Sequence, residues 1–233
     1  VGIMEVTNVE SKIRKSVDGK SHYPNGTLVC LENTANRGGG TCYPQEQIDR
    51  IVKMAKSKDC AVHMDGARLF NAVVASGVEP SRMVRDCDTV SICISKGLGA
   101  PVGGVLVGSK EVIDQAHRWR KMFGGGMRQA GVLAAAGLHA LDHHLDRLGD
   151  DHLRARYLAE GLIGVSGIEV NLKSVQTNMV YLKTEDYAVN VVKLLAEMGI
   201  DILAIGTHLV RMVTHLHIDD EGVERCIKAF KSL

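Results

Sequence analysis

The sequence lacks the features that would place it in a membrane, on nucleic acid or in a disulfide-built scaffold. No apolar run approaches the length of a membrane span, and the first residues do not read as a charged-then-apolar leader. Neither sign of charge is in excess. Lysine and arginine number 28 against 27 acidic residues, the formal net charge is +1, and the basic residues are scattered rather than massed. No electrostatic basis for binding nucleic acid or an anionic membrane surface follows from that balance. The six cysteines show no C-x-x-C pair and no framework spacing, and several lie inside apolar runs where a free thiol behaves as a small hydrophobe. A reducing, cytoplasmic setting is expected, and a mitochondrial one is compatible with the same chemistry. Internal repeats and low-complexity tracts are also missing.

What is present is an ordinary globular composition, 45% hydrophobic and 24% charged, in 233 residues. That length suits one large domain with a smaller appendage. Short apolar runs at 28–31, 61–64, 89–94 and 104–107 read as strands and alternate with helical patterns, which predicts an α/β fold with a mostly parallel sheet. Pro44 opens a helix whose apolar face is Ile48, Ile51, Val52 and Ala55, at i, i+3, i+4, i+7. Helical patterns at 110–121 and, rich in alanine, at 128–147 bracket the triple glycine 124–126. Beyond Gly149, helices near 153–162, 188–198 and 219–230 alternate with strands near 179–182 and 210–213. A boundary near residue 150 is expected, between a large α/β domain (1–149) and a small α+β domain (150–233). His139, His143 and His144 read as a solvated helix face, and Met122 and Met127 as packing.

Chemistry concentrates at two strand ends. Asp65 closes the run V-H-M-D-G-A-R, and Lys96 stands just past a later run in S-K-G-L-G-A-P. Ligands of open α/β sheets bind outside the carboxyl ends of strands, so both side chains can converge on one crevice. An acid able to hold a protonated ring nitrogen and a lysine able to form an imine are what pyridoxal phosphate requires. Gly66 and Ala67 would let the strand end lie flat against a ring. Arg68 offers a guanidinium fork for the ring hydroxyl or phosphate, and Gly97 and Gly99 allow close backbone approach. The bland alternative stands beside this one: an Asp after a strand is most often a cap or turn former, and a lone Lys is usually solvated. A dinucleotide loop is excluded, because Val102 occupies the place of its last glycine and Pro101 stands where its helix would start. His63-x-Asp65 with His215-x-His217 can be drawn as a metal site, but alternate strand residues commonly share a core face, and no metal is expected.

Four collinear stretches, H-M-D-G-A-R-L-F-N-A (63–72), S-K-G-L-G-A-P-V-G (95–103), R-K-M-F-G-G-G-M-R-Q-A-G (120–131) and R-M-V-T-H-L (211–216), resemble the threonine aldolases. The resemblance runs over essentially the whole chain. It implies the aspartate-aminotransferase-like fold (fold type I), pyridoxal 5'-phosphate as cofactor, and retro-aldol cleavage of L-threonine or L-allo-threonine to glycine and acetaldehyde. It also implies a homo-oligomer, dimer or tetramer, with sites at the interface. Lys96 matches the Schiff-base lysine, Asp65 the ring-nitrogen partner, and Ala67 and Arg68 cofactor contacts. Arg211 matches the clamp on the substrate α-carboxylate, and His22 a histidine near the substrate hydroxyl. Lys121 and Arg128 match basic site residues, contributed by a neighbouring subunit. The family carries a further N-terminal segment with a Ser-Gly-Thr-type phosphate loop, a histidine where Ala35 stands and an acid where His217 stands. A fragment or processed form is therefore expected. The rival readings are a non-catalytic truncated homologue that only oligomerises, and another pyridoxal phosphate lyase or racemase.

Overall fold

The computed structural model describes residues 2–16, 22 and 24–233. In chain order the elements are α1 (Val6–Lys12), β1 (Leu28–Glu32), α2 (Gln45–Ser57), β2 (Ala61–Gly66), α3 (Leu69–Ser76), α4 (Pro80–Val84), β3 (Thr89–Cys93), β4 (Gly104–Gly108), α5 (Lys110–Met122), α6 (Gly131–His143), α7 (Leu148–Gly161), β5 (Ile168–Val170), β6 (Met179–Thr184), α8 (Ala188–Glu197), β7 (Leu203–Gly206), β8 (Leu209–Val213) and α9 (Asp220–Lys231). The first sheet runs β1-β2-β3-β4, with β1, β2 and β3 parallel and β4 antiparallel. The second, β5-β6-β8-β7, is antiparallel throughout.

Period-two alternation sorts the first sheet. Val29, Leu31, Val62, Met64 and Val90 are buried on one face with Ile48, Ile51, Val52 and Ala55 of α2. This leaves Cys30, Glu32, His63, Asp65, Thr89 and Ser91 on the other face, paired in register as Glu32↔Asp65↔Ser91. Gly66 is required by packing on the helix side rather than by a flat ligand: a Cβ there would lie 2.9 Å from the Ser91 carbonyl oxygen and 3.1 Å from Leu69 Cβ.

The alanine-rich pattern at 128–147 does not form one helix. Helix α6 stops at His143, and α7 begins afresh at Leu148. Leu148 is fully buried in a cluster with Ile94, Leu98, Ala100 and Ala140. Farther along α7, Ala155, Leu158 and Ala159 pack instead with Val180, Leu182, Val210 and Phe230 of the second sheet and α9. The expected boundary near residue 150 lies within α7, which packs against α3 and the turn after β3 near its start and against β6 and α9 farther along. Strand β4 and helix α5 bury no residue, and Trp119 (53% exposed) stacks on Phe123 (82% exposed) beside an exposed Met122; Met127 is exposed as well. Those two methionines therefore do not pack in this chain. Among the described residues, no helix is long and apolar enough to cross a membrane.

Candidate functional site

Asp65 is the penultimate residue of β2, on the face away from α2 and α3. One carboxylate oxygen accepts the Ala67 amide N–H at 3.0 Å; the other has no partner among the described residues. The turn this bond tightens delivers Arg68 to the start of α3. His63, two residues earlier on the same face, meets the Thr89 hydroxyl at 2.8 Å and the Ser91 hydroxyl at 3.4 Å through its two ring nitrogens. It is a sheet histidine with partners of its own.

Lys96 lies in the turn after β3. The Gly99 N–H closes that turn on the Lys96 carbonyl at 2.8 Å, and the Ala100 N–H reaches the Ile94 carbonyl at 3.0 Å. Gly99 has φ +75°, where a side chain is strained. Ile94, Leu98 and Ala100 are buried and anchor the turn, whereas the Lys96 side chain is exposed and its ammonium has no partner among the described residues. A tethered backbone carrying a free amine is what a nucleophilic lysine needs.

Arg211, on β8 opposite Tyr181, donates from Nη1 to Asn36 Oδ1 at 3.1 Å, while its Nε is buried without a partner. Asn36 is itself held, its N–H by the Glu32 carboxylate at 3.0 Å and its carbonyl by the Tyr181 hydroxyl at 2.6 Å. Through these bonds the loop after β1 is seated on the second sheet. Arg68 is held below its ordinary value by burial first and by the charge of Arg211 next. Among the described residues neither guanidinium has a carboxylate ion-pair partner, although the Glu32 carboxylate attracts Arg68 from farther off, so both forks keep donors for an anion.

A cleft of about 430 Å³ opens here, lined by Arg68, Lys96, Pro101, Asn178, His215 and His217 among others. The structure therefore brings together Arg68 and Lys96, with Asp65 and Ala67 on the strand end leading into Arg68 and with Arg211 close by. It does not bring Lys121 or Arg128 to this cleft: Lys121 lines a separate surface groove with His117, and Arg128 is exposed in the turn ahead of α6. Helix α5 buries nothing in this chain and so leaves Lys121 facing outward, and the turn that carries Arg128 is exposed as well. His22 is exposed ahead of β1 and does not line the cleft either.

Residues that sequence reasoning did not place here are Asn178, which is buried with an unpartnered Oδ1, and His215 and His217, whose rings lie 5.7 Å apart edge to face. For the two histidines the signal was their nearness to Arg211 in R-M-V-T-H-L-H; Asn178 carried none. His144 is likewise not a solvated helix residue. It is half-buried, and its Nδ1 donates to the Leu98 carbonyl at 2.6 Å.

A family model described as beta-eliminating lyase matches residues 1–185 of this chain. Low-specificity L-threonine aldolase 1 of Arabidopsis thaliana is 42% identical over 234 residues, covering 99% of this chain and 65% of that protein. Low specificity L-threonine aldolase of Escherichia coli (strain K12) is 40% identical over 221 residues, covering 94% of this chain and 63% of that protein. The chain spans less than two thirds of the length of these curated relatives. Among solved structures, Leishmania major threonine aldolase superposes with a TM-score of 0.80 at 22% identity, over 99% of this chain and 67% of that one. A Thermus thermophilus aspartate aminotransferase mutant superposes with a TM-score of 0.71 at 17% identity, over 98% and 63%. At such identities the structures speak to the fold, which is that of fold type I.

Proposed function

This chain belongs to the beta-eliminating lyase family, and from that premise we propose that it carries the pyridoxal phosphate site of a threonine aldolase, cleaving L-threonine and L-allo-threonine to glycine and acetaldehyde. Both curated relatives named above are called low-specificity L-threonine aldolases. The observation that supports the reading is the convergence of Arg68, Lys96 and Arg211 on one region of the fold, beside Asp65 at the end of β2.

The residues present suit the cofactor. Among the described residues, Asp65 has an unpartnered carboxylate oxygen for a protonated ring nitrogen, Lys96 an unpartnered amine for the aldehyde carbon, and Arg68 a fork for the ring hydroxyl or phosphate. When bound, pyridoxal phosphate supplies an electron sink for the pair released as the Cα–Cβ bond breaks. Arg211 would take the substrate α-carboxylate and so fix the rotation of the amino acid about its Cα. The β-hydroxyl proton needs an acceptor. His22 lies off the cleft, so His215, on its wall, is the better-placed base. We place the homo-oligomer contact on the apolar surface of β4 and α5, where Val105, Val107, Trp119 and Phe123 are exposed; Lys121 and Arg128 would then serve the neighbouring subunit's site.

Borohydride trapping of pyridoxal phosphate on the chain, followed by peptide mass mapping, tests the reading. Label concentrated on Lys96, and lost from that peptide in Lys96→Ala, is expected; label spread evenly over surface lysines refutes it. Glycine release from the same protein separates a catalyst from a chain that only associates, and comparing threonine with alanine separates aldol cleavage from racemisation.

A further inference from the structure

We propose that His144 and Arg147 are positioning residues for Lys96: from the break between α6 and α7 they hold the two carbonyls that follow it in the chain, and so set where its amine stands at the cleft. The proposal rests on the reading of Lys96 as the imine-forming lysine.

A lysine side chain is long and freely rotating, so the protein can direct the amine only by fixing the backbone that carries it. In the turn after β3 the Lys96 carbonyl is taken by the Gly99 N–H, and the Ile94 carbonyl by the Ala100 N–H. The carbonyls of Gly97 and of the buried Leu98 are left over, and a carbonyl taken from water without a donor is costly. Both donors come from one short stretch. His144 Nδ1 donates to the Leu98 oxygen at 2.6 Å, and Arg147 Nη1 donates to the Gly97 oxygen at 3.4 Å. Because a carbonyl only accepts, the first bond also places the imidazole proton on Nδ1.

Arg147 is braced in turn. Its Nη2 donates to Asp151, one helical turn along α7, in an ion pair whose side chains are 17% and 0% exposed. The Asp151 backbone carbonyl accepts the Thr214 hydroxyl at 2.6 Å, and Thr214 directly follows β8, the strand that carries Arg211. One turn of α7 is thereby tied to both the Lys96 turn and the Arg211 strand. Packing shuts off the remaining slack: a Cβ on Gly97 would lie 3.0 Å from Leu148 Cδ2 and 3.4 Å from Asn71 Oδ1. His144 and Arg147 reach backbone carbonyls of the turn rather than the Lys96 amine, so they act through Lys96.

The test uses three variants of the full chain, each first shown to melt cooperatively. His144→Leu removes the donor, and His144→Asn returns an N–H near the position of Nδ1. Arg147→Met alone would leave Asp151 charged and unpaired in the interior, so Arg147→Met is combined with Asp151→Leu, which removes the pair as a whole. Two readouts are taken: amide hydrogen exchange at Gly99 and Ala100, and the rate of borohydride-trapped pyridoxal phosphate at Lys96 relative to exposed Lys231. His144→Leu is expected to speed exchange and to lower the preference for Lys96, each by about tenfold; His144→Asn restores both, and the double variant shows the same pattern more weakly. Unchanged exchange in His144→Leu and in the double variant overturns the proposal. So does faster exchange with an unchanged preference for Lys96. A native chain showing no preference for Lys96 would remove the cofactor reading and this proposal with it, and is told apart because the exchange differences among variants would persist.

Discussion

Arg211, from the second sheet, stands close enough to Arg68, at the start of α3, to oppose its charge, second only to burial in holding the Arg68 guanidinium below its ordinary value. Two like charges repel, and the Glu32 carboxylate offsets part of that repulsion; an anion bound beside the pair would offset more.

Replacing Arg211 should weaken carboxylate binding. Charge-assisted hydrogen bonds contribute about 1.5–3 kcal/mol each, so Arg211→Met is expected to weaken glycine binding to the pyridoxal phosphate-loaded chain by about tenfold to a hundredfold, read by spectral titration. Arg211→Lys should recover only part of this, because the planar fork is lost. Undiminished glycine affinity in Arg211→Met would remove the clamp from the mechanism.

The Arg147–Asp151 pair should separate breaking from replacement. Burial pushes the Asp151 carboxyl above its ordinary value, and Arg147 pulls it back. Arg147→Met alone is expected to cost about 3–5 kcal/mol in urea unfolding, whereas Arg147→Met with Asp151→Leu should be nearly neutral. Equal losses in the two variants would show that packing, not charge, dominates the site.

Acid should act through His152. Burial pulls its imidazole from 6.5 down to about 4, and its Nε2 lies 3.0 Å from Asn71 Nδ2, a bond the ring accepts only when that nitrogen is unprotonated. The unfolded chain thus binds a proton that the folded one refuses. Stability from this residue is present above the unfolded value and is lost as pH falls from about 6.5 toward 4. His152→Gln should flatten that part of the pH dependence of the melting temperature, and an unaltered slope would count against the assignment.

The exposed aromatic pair should govern assembly. Phe123→Asp is expected to shift the chain toward lower mass in light scattering without lowering its melting temperature, since Phe123 is 82% exposed within the chain. An unchanged mass distribution would place the interface elsewhere.

Much of this was legible in the residues alone. The strands ending at Asp65 and preceding Lys96 were readable because one face of a half-buried sheet must alternate, and the α2 face because four apolar residues recur at helical spacing. The second sheet was half-read: strands 179–182 and 210–213 appear, slightly extended, as β6 and β8, whereas β5 and β7 are too short to leave a periodic signature. The α6–α7 break was hidden because the alanine- and leucine-rich part of 128–147 reads as helix and no proline marks where it stops. Tertiary demands override that pattern there, since His144 is drawn to the Leu98 carbonyl and Leu148 into the core.

The two strand ends, with their acid and their lysine, follow from residue order alone, because side-chain alternation and turn chemistry act over a few residues. Which distant groups join them is a matter of long-range packing. Arg211 reaches Arg68 because the loop holding Asn36 is bonded to β6 and β8, whereas Lys121, on a helix with no inward face, and Arg128, in the exposed turn beyond it, are left outside the cleft. Docking between sheets depends on long-range contacts whose closure no local pattern encodes.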